Sequence, residues 1–476
     1  MGNQFYKNTE VKTLIENYSI NNLRQISAID EYVFMSIIET EDLIARLVSD
    51  NDSPDLSNNC RQILYNLTDQ IIISKEKIEK KHLLNVAIVA PKLFFDVIEG
   101  FDGVFELFTK QQIIFLLCER EFSRQLLNHL VDNKFSLPST LIIQCIVSNV
   151  ALRLIDAKRE IEVIALFFDK IRDDSYSSLV KQALETRLYN LTVQTSKTTP
   201  AKRIALHING QLRGYERSIK KFVAECSNID NVDVYVSTWE DLGYKDFSKY
   251  SLERIFDSES LEYINSNLDY HNIENYKWAV HKHLNNINEN GQIRDSLTQL
   301  LSGFRNVYIN IKSDKEYPFN NMFRPEKMYY HNAYWLHTQS KELISEYDYT
   351  VKIRPDIFVS GIDFSKLEVQ SKTVYTEVTG GWIFRHWGFG IGDQIIHGPS
   401  NIVHKILMCH SDSVVASLLP ILSVYSGKYG GHINCGIAAW LYGADLSTGN
   451  IKQLGFSPTR LLTISETRNI FGDFKS

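Results

Sequence analysis

Arg354 and Asp356 are the residues whose types and spacing point most directly to chemistry. They flank Pro355 in the segment YDYTVKIRPDIFVS (Tyr347–Ser360), whose alternating apolar and polar residues predict a β-strand that stops at the proline. In open α/β sheets, ligands bind beyond the carboxyl ends of the strands. A guanidinium group beside a carboxylate at such a place suits a phosphate group, either free or bound to a metal ion. The alternative is a strand-end salt bridge with no functional role.

The loop NGQLRG (Asn209–Gly214) lies between a predicted strand, Arg203–Ile208, and a helix predicted to begin at Tyr215. In a nucleotide-binding β-loop-α-β unit, the backbone N–H groups of such a loop and a side chain such as Arg213 face the nucleotide. The loop lacks the dinucleotide fingerprint, and any tight turn from strand to helix favours glycine. By itself it does not decide between nucleotide binding and a structural turn.

Asp393 belongs to the turn Gly392-Asp393-Gln394, which precedes the short predicted strand Ile395–Gly398. With His397, Asp393 flanks this strand at the edge of a glycine loop. A carboxylate placed there orients an acceptor hydroxyl or acts as a general base. Two later residues are further candidates for the same place: Tyr425 and His432.

The segment Gly380–Gly390 (GGWIFRHWGFG) is dense in glycine and aromatic residues. Such a loop is typical of a lid that lays aromatic faces on a sugar or a base. A packed structural loop is the alternative.

The first 195 residues carry a helical pattern almost throughout. Apolar residues recur at three-and-four spacing, for example in 34–48, 63–71 and 142–154, and turn residues interrupt the pattern at 50–54, 100–103 and 136–139. No fixed repeat period is found. The pattern predicts an all-α domain over residues 1–195, a bundle or short solenoid of about six to eight helices, which we expect to dock to a partner or to a membrane surface.

The segment TSKTTPAK (195–202) is a polar linker with a proline, and the period changes to strand-like directly after it. A further strand is predicted at Thr373–Glu377, and helices at 252–265, 293–304, 322–344, 401–408, 414–424 and 433–441. The alternation predicts one α/β domain over residues 202–476, with a Rossmann-type mixed sheet flanked by helices.

The composition is that of an ordinary globular protein, with 44% apolar and 23% charged residues. The formal net charge of −6 provides no basic field for nucleic acid, which we exclude as a partner. The six cysteines lie in apolar segments without CxxC spacing, so they are predicted to be buried thiols in a reducing compartment. No apolar run reaches the length of a membrane span.

Four short segments, taken in order, resemble a known family. They are LHINGQLRGYE (Leu206–Glu216), VDVYVSTW (Val232–Trp239), YDYTVKIRPDI (Tyr347–Ile357) and GDQIIHG (Gly392–Gly398). This series is similar to that of bacterial nucleotide-sugar glycosyltransferases of the GT-A type, found in capsule and surface-polysaccharide gene clusters. The resemblance covers roughly the second half of the chain and does not reach the helical half.

The resemblance implies a GT-A-like domain and a set of site residues. Asp356 stands where these enzymes hold a divalent cation, Mn²⁺ or Mg²⁺, against the sugar diphosphate, and Asp356 and Asp393 are the implied catalytic carboxylates. The chain departs from the usual Asp-x-Asp because Arg354 takes the first position, so Arg354 could itself neutralise the diphosphate. The implied donor-binding residues are Asn209, Gly210, Gln211, Arg213, Thr238, Trp239, Lys352, Arg354 and Gln394.

The expected function is transfer of a sugar from a nucleotide-diphosphate donor to a glycan or lipid-linked acceptor in surface-polysaccharide biosynthesis. The expected place is the cytoplasm or the cytoplasmic periphery of the inner membrane, with a polysaccharide-assembly protein or the membrane surface as partner of the helical domain. The rival hypothesis is a non-catalytic helical interaction protein fused to a degenerate nucleotide-binding α/β domain. A methyltransferase is disfavoured because no Gly-x-Gly loop follows the first strand.

Overall fold

A computed structural model describes the greater part of the chain. The described residues are 87, 91, 94–95, 104–132, 138–168, 170–171, 173–193, 198–240, 252–267, 273–287, 293–313, 315, 346–370, 372–377, 382–385, 388–423, 431–457 and 461–472. The helices predicted within residues 34–71 and 322–344, and the predicted site residue Tyr425, lie outside them.

Proximity between Cα atoms divides the chain into two compact units. The first is Met1–Leu188, Phe384–Phe389 and Pro420–Ser426, and the second is Tyr189–Ile383, Gly390–Leu419 and Gly427–Ser476. The first division falls inside a helix, a few residues before the predicted linker. Two short later segments group with the first unit, whereas the sequence predicts one uninterrupted domain over 202–476.

The described part of the first unit is largely helical. Its helices are α1 (Lys110–Cys118), α2 (Arg120–Val131), α3 (Ser139–Ala151), α4 (Ala157–Phe168) and the first part of α5 (Ser177–Thr192). Thr109 begins α1 with a capping box, in which its hydroxyl accepts from the backbone N–H of Gln112 and the Gln112 side chain accepts from that of Thr109.

Helix α3 lies in the core of this unit, because it is apolar on nearly every side. The Nδ2 group of the buried Asn149 donates to the carbonyl oxygens of Ser123 at 3.0 Å and Cys145 at 2.9 Å, whereas its Oδ1 has no partner among the described residues. A buried ion pair joins α4 to α5, with Arg187 donating to both carboxylate oxygens of Glu160 at 2.8 and 2.6 Å. Breaking such a buried pair costs about 3–5 kcal/mol.

In the part of the chain that the structure describes, thirteen strands and eight further α-helices follow α5. The strands are β1 (Thr199–Pro200), β2 (Ile204–Asn209), β3 (Val232–Trp239), β4 (Asn306–Lys312), β5 (Tyr349–Ile353), β6 (Ile357–Val359), β7 (Glu368–Val369), β8 (Thr373–Thr376), β9 (Trp382–Arg385), β10 (Gly388–Ile391), β11 (Ile395–Pro399), β12 (Asp445–Thr448) and β13 (Gln453–Phe456). The helices are α6 (Tyr215–Glu225), α7 (Ser258–Asn267), α8 (Lys277–Ile287), α9 (Ile293–Leu300), α10 (Ser400–Leu407), α11 (Ser413–Leu422), α12 (Gly431–Leu441) and α13 (Ile464–Gly472).

Seven of these strands form the central sheet of the second unit, in the order β12-β8-β11-β5-β2-β3-β4. Strands β5, β2, β3 and β4 are parallel to one another, whereas β11 runs antiparallel to β5 and β8. The mixed sheet flanked by helices that the sequence predicts is therefore confirmed for this half of the chain.

The two faces of the sheet differ because successive side chains of a strand point to opposite sides. One face carries Ile204, Leu206 and Ile208 of β2, packed with apolar residues of β3, β5, α6 and α9. On the other face Thr350 of β5 makes hydrogen bonds to Ser400 at 2.8 Å and to His404 at 3.2 Å, both in α10. Helices therefore cover the sheet on both sides.

Several predictions about elements need correction. Strand β4 and strand β12 were not predicted, the helix predicted at 252–265 is the shorter α7, and α12 begins at Gly431 rather than Ile433, which places His432 in its first turn. The described residues of the glycine-aromatic loop form the paired strands β9 and β10. In the described part of the chain, no helix combines the length and apolarity that a membrane span requires.

Candidate functional site

Residues from four separate segments meet at one edge of the central sheet. Strands β2, β3 and β5 are parallel, so their carboxyl ends lie at this edge, and antiparallel β11 brings its amino end to it. Asn209 lies opposite Ser237 in the register, and Arg354 donates its backbone N–H to the carbonyl of Gln394 at 3.1 Å. This carboxyl edge thus brings together the predicted donor-binding residues of the loop, of β5 and of the turn before β11.

Asp356 lies at the centre of a charged cluster on this edge. Its two carboxylate oxygens accept from Nε and Nη2 of Arg354 at 2.9 and 2.6 Å. The second oxygen also lies 3.3 Å from Nη2 of Arg213. Two arginines that are distant in sequence therefore share one largely buried carboxylate, which fixes the positions of both guanidinium groups.

The loop Asn209–Gly214 is fastened to the end of β5 by short polar contacts. Gly214 has a φ of 62°, a left-handed conformation that favours glycine, and its carbonyl accepts from the hydroxyl of Ser457 at 2.6 Å. The N–H of Ser457 donates to the carbonyl of Asp356 at 3.0 Å, and Ser218 of α6 donates to the carbonyl of Pro355. Ser457 and Ser218 were not predicted as site residues from the sequence, because only the folded topology places them beside this loop.

Two predicted donor-binding residues, Thr238 and Trp239, support the edge from within. The Thr238 hydroxyl donates to the carbonyl of Gly210 at 2.8 Å, and the N–H of Gly210 donates to the carbonyl of Ser237 at 3.1 Å. The Trp239 side chain is buried at the end of β3. Their contacts hold the loop in place; direct contact with a donor stays a prediction, as it does for the half-buried Gln211.

Two buried amide oxygens of the carboxyl edge have no hydrogen-bond partner among the described residues: Asn209 Oδ1 and Gln394 Oε1. A buried acceptor left in this condition costs about 1–3 kcal/mol. Both residues adjoin Arg354, one on β2 and one before β11. A ligand that presents N–H or O–H groups to this edge would satisfy them.

The turn that carries Asp393 is held by two charged residues. The buried Lys352 donates its ammonium to the carbonyl of Asp393, and burial lowers the pKa of Lys352. Glu377 accepts from the N–H groups of Gln394 and Ile395, each at 3.1 Å. A Cβ at Gly392 would lie 2.4 Å from the Glu377 carboxylate, so only glycine allows this approach. Glu377 was not singled out in the sequence, although it ends a predicted strand.

The Asp393 side chain faces a histidine. Its Oδ1 atom lies 3.8 Å from Nδ1 of His432, and the same nitrogen lies 2.8 Å from the carbonyl oxygen of Ile391. His397, which the sequence placed beside Asp393, lies elsewhere: it is buried, hydrogen-bonded to Tyr349 at 2.7 Å and stacked on Tyr375. The correct histidine neighbour of Asp393 is therefore His432, from the first turn of α12.

The residues around Asp356 do not fit the implied divalent cation. Both oxygens of Asp356 are engaged by guanidinium groups, and a cation there would face two like charges. No group of three or more histidine, cysteine, aspartate or glutamate side chains suited to a metal ion occurs within the described ranges. The contacts favour the other possibility raised by the sequence, in which Arg354 supplies the positive charge.

Comparisons of the chain with protein-family models, with curated proteins and with solved structures give no match. The geometry of the carboxyl edge and the order of the four sequence motifs are therefore the features that bear on function.

Proposed function

We propose that the protein is a glycosyltransferase with a GT-A-like second half, which transfers a sugar from a nucleotide-diphosphate donor to a glycan or lipid-linked acceptor of surface-polysaccharide biosynthesis. The observation that carries the proposal is the meeting of Arg213 and Arg354 at the carboxyl edge. Ligands bind at this edge in open α/β sheets, and paired arginines are the usual partners of phosphate oxygens.

The chemistry of the reaction matches this distribution of charge. Breaking the bond between the anomeric carbon and the diphosphate leaves negative charge on the phosphate oxygens, and fixed guanidinium groups stabilise such charge in the transition state. Asp356 holds both guanidinium groups in position before the donor arrives. No step in this account requires a metal ion.

The amide acceptors beside the arginines support a donor rich in hydroxyl groups. Asn209 Oδ1 and Gln394 Oε1 are buried acceptors without partners among the described residues, and the hydroxyl groups of a sugar or ribose are donors that would satisfy them. A nucleotide sugar supplies both the phosphate groups and the hydroxyl groups.

The test is to incubate the purified full chain with a panel of nucleotide sugars and to measure free nucleotide, with and without Mn²⁺ or Mg²⁺. We expect release from one donor class, and Arg354→Lys is expected to raise the KM for that donor about tenfold or more, since an ammonium cannot reproduce a bidentate contact. Arg305→Lys is the matched control, because Arg305 also faces a buried aspartate but at the opposite edge of the sheet.

Failure to release nucleotide from any donor, together with failure to bind nucleoside diphosphates in calorimetry, would contradict the proposal. That outcome would favour the rival hypothesis of a non-catalytic interaction protein. Equal effects of the two lysine variants on KM would contradict the assignment of the donor diphosphate to the carboxyl edge.

A further inference from the structure

The imidazole of His432 is held in one orientation by the backbone. Its Nδ1 atom lies 2.8 Å from the carbonyl oxygen of Ile391. A carbonyl oxygen only accepts hydrogen bonds, so Nδ1 must carry the proton in this contact. The neutral imidazole then has its lone pair on Nε2, which makes Nε2 the basic atom of the ring.

A carboxylate lies beside the same nitrogen. Asp393 Oδ1 is 3.8 Å from His432 Nδ1, and the side chains of the two residues are 17% and 36% exposed. A carboxylate at this distance favours the protonated form of an imidazole when Nε2 takes up a proton. The pair has the arrangement of a base and its orienting group: Nδ1 is fixed by its contacts, and Nε2 is the ring atom that takes up a proton.

The His432–Asp393 pair is connected to the same edge of the sheet as Arg213 and Arg354. Asp393 is followed directly by Gln394, whose carbonyl accepts from the N–H of Arg354. The carbonyl of Asp393 itself accepts from Lys352, two residues before Arg354 on β5. One turn therefore joins the imidazole to the place proposed for the diphosphate.

On the basis of the proposed function, we propose that His432 is the general base of the transfer and that Asp393 is its positioning residue. His432 Nε2 removes the proton of the acceptor hydroxyl while the acceptor oxygen bonds to the anomeric carbon. The bond between that carbon and the diphosphate breaks, and its electron pair passes to the phosphate oxygen beside Arg213 and Arg354. The imidazolium then releases its proton to solvent. This single displacement inverts the anomeric configuration.

Histidine is better matched to this role than the aspartate that the sequence favoured. A general base is most effective when it titrates near the working pH, and an aspartate ordinarily titrates near pH 4. Asp393 contributes through His432 by stabilising the imidazolium. Other ionisable groups that contact or adjoin the same turn and helix are Lys352, Arg354, Glu377 and Cys435.

The decisive variant is His432→Asn. An asparagine amide keeps a donor for the Ile391 carbonyl and removes the basic nitrogen, so the fold is expected to survive. We expect kcat to fall about a hundredfold or more, with unchanged affinity for the nucleoside diphosphate in calorimetry. The fall in rate on the acidic side of the wild-type pH profile should disappear. His432→Gln provides a second variant if the first lowers the melting temperature.

The chain offers a closely matched control in His283→Asn. His283 lies 3.5 Å from Glu466, and their side chains are 31% and 17% exposed, almost the values of His432 and Asp393. This pair is outside the carboxyl edge, so its variant should keep kcat and the pH profile of the folded protein within about twofold.

Asp393→Asn tests the positioning role separately. We expect kcat to fall about tenfold with an unchanged KM for the donor, because the imidazolium of the transition state has lost its stabilising carboxylate neighbour. Wild-type kcat and an unchanged pH profile in His432→Asn, or a retained anomeric configuration in the product, would overturn the base assignment alone. Wild-type protein that releases no nucleotide from any donor would overturn the proposed function together with it.

Discussion

The parallel strands of the central sheet have an aspartate between two arginines at each of their two ends: Asp356 at the carboxyl edge, and Asp233 at the amino edge, where β3 begins. The difference between these two clusters separates a structural cluster from a candidate site. At the amino edge, Asp233 lies 3.7 Å from Arg203 and 3.6 Å from Arg305. It also accepts from the hydroxyl of Tyr347 at 2.7 Å and from the amide of Asn306 at 2.8 Å. The Asp233 side chain is 1% exposed, against 9% for Asp356 at the carboxyl edge.

The neighbours of the two aspartates differ more than the aspartates do. Asp233 belongs to a continuous network, in which Tyr347 also bonds to Tyr235 at 2.7 Å and Tyr235 stacks on His207. Asp356 has only guanidinium groups on its side chain in the described contacts, beside the unsatisfied amides of Asn209 and Gln394. The amino edge also has buried atoms without a partner among the described residues, Arg203 Nε and His207 Nδ1, but they are nitrogens of a guanidinium group and of an imidazole ring. At the carboxyl edge the unsatisfied atoms are amide acceptors that adjoin Arg354, where a ligand with donor groups would satisfy them.

The largest effect is expected from Asp356→Asn. The new amide places an N–H against a guanidinium donor, so the fork to Arg354 is lost and both guanidinium groups lose their fixed positions. Loss of one preorganised electrostatic group costs about a hundredfold or more in rate. Nucleotide release should fall by that factor, measured together with the melting temperature.

Unchanged turnover in Asp356→Asn would remove the carboxyl edge from the mechanism. Loss of the fold instead would reduce the Arg354–Asp356 pair to a strand-end salt bridge. The turnover of Asp393→Asn provides the comparison, because this variant alters a neighbouring carboxylate and leaves the contacts of the two arginines with Asp356 in place.

The corresponding substitution at the amino edge, Asp233→Asn, is expected to lower the free energy of unfolding and to leave the rate unchanged. One oxygen becomes an N–H that faces a donor, either the Tyr347 hydroxyl or the Asn306 amide. A buried mismatch of this kind costs about 1–3 kcal/mol. Urea denaturation should show the loss, while kcat and KM of the folded protein stay within about twofold. A larger effect on rate than on stability would contradict the comparison between the edges.

The sequence predicts the fold well where apolar periodicity and turn chemistry agree. Strand β5 stops before Pro355 as expected, and β2, α6 and β3 follow in the predicted order. Strand β4 was missed because it is an edge strand with half-buried side chains, and its sequence NVYINIK mixes polar residues among apolar ones. Strand β12 closes the other edge of the sheet and is equally weak in pattern.

The sequence predicts the site residues that lie at the ends of strands, but not those whose position depends on how distant segments pair. Arg213, Arg354 and Asp356 were found because the carboxyl ends of parallel strands meet at one edge. Ser457 and Glu377 come from segments whose position depends on the pairing of β6 with β13 and of β8 with β11. His397 was misplaced because its register partner is Val351, which puts its side chain under Tyr349 and Tyr375.

A smaller effect concerns the dependence of stability on pH, which we expect the buried histidines to set. Burial lowers the pKa of His404 to about 4, of His397 to about 3, and of His207 well below its usual value. The unfolded chain binds protons at these positions below about pH 6.5, whereas the folded protein does not until about pH 4 or lower. Stability is therefore complete above pH 6.5 and falls between pH 6.5 and 4.

The slope of this fall should approach about 1.4 kcal/mol per pH unit for each buried histidine. Urea denaturation at pH 7.5 and 5.5 measures it, and His404→Gln should reduce the slope by one histidine's share. A slope unaffected by His404→Gln would show that buried histidines do not set the acid limit.

The smallest expected effect is that of removing divalent cations. The implied cation position has Arg354 where the usual motif has an acidic residue, and the remaining carboxylate, Asp356, has both oxygens engaged by arginines. Mn²⁺ would have to displace two guanidinium groups to reach a single carboxylate, against the repulsion of like charges. We therefore expect EDTA to leave donor affinity, turnover and melting temperature unchanged.

Arg354→Asp sharpens this expectation, because it restores two carboxylates at Asp-x-Asp spacing and removes one guanidinium group. The variant should gain binding of Mn²⁺, measured by electron paramagnetic resonance, and lose donor affinity in metal-free buffer. Mn²⁺ binding by the wild type only in the presence of a nucleoside diphosphate would contradict the prediction. It would mean that the donor frees Asp356 from its arginines, so that the carboxyl edge differs from the amino edge in movable charges as well as in unsatisfied acceptors.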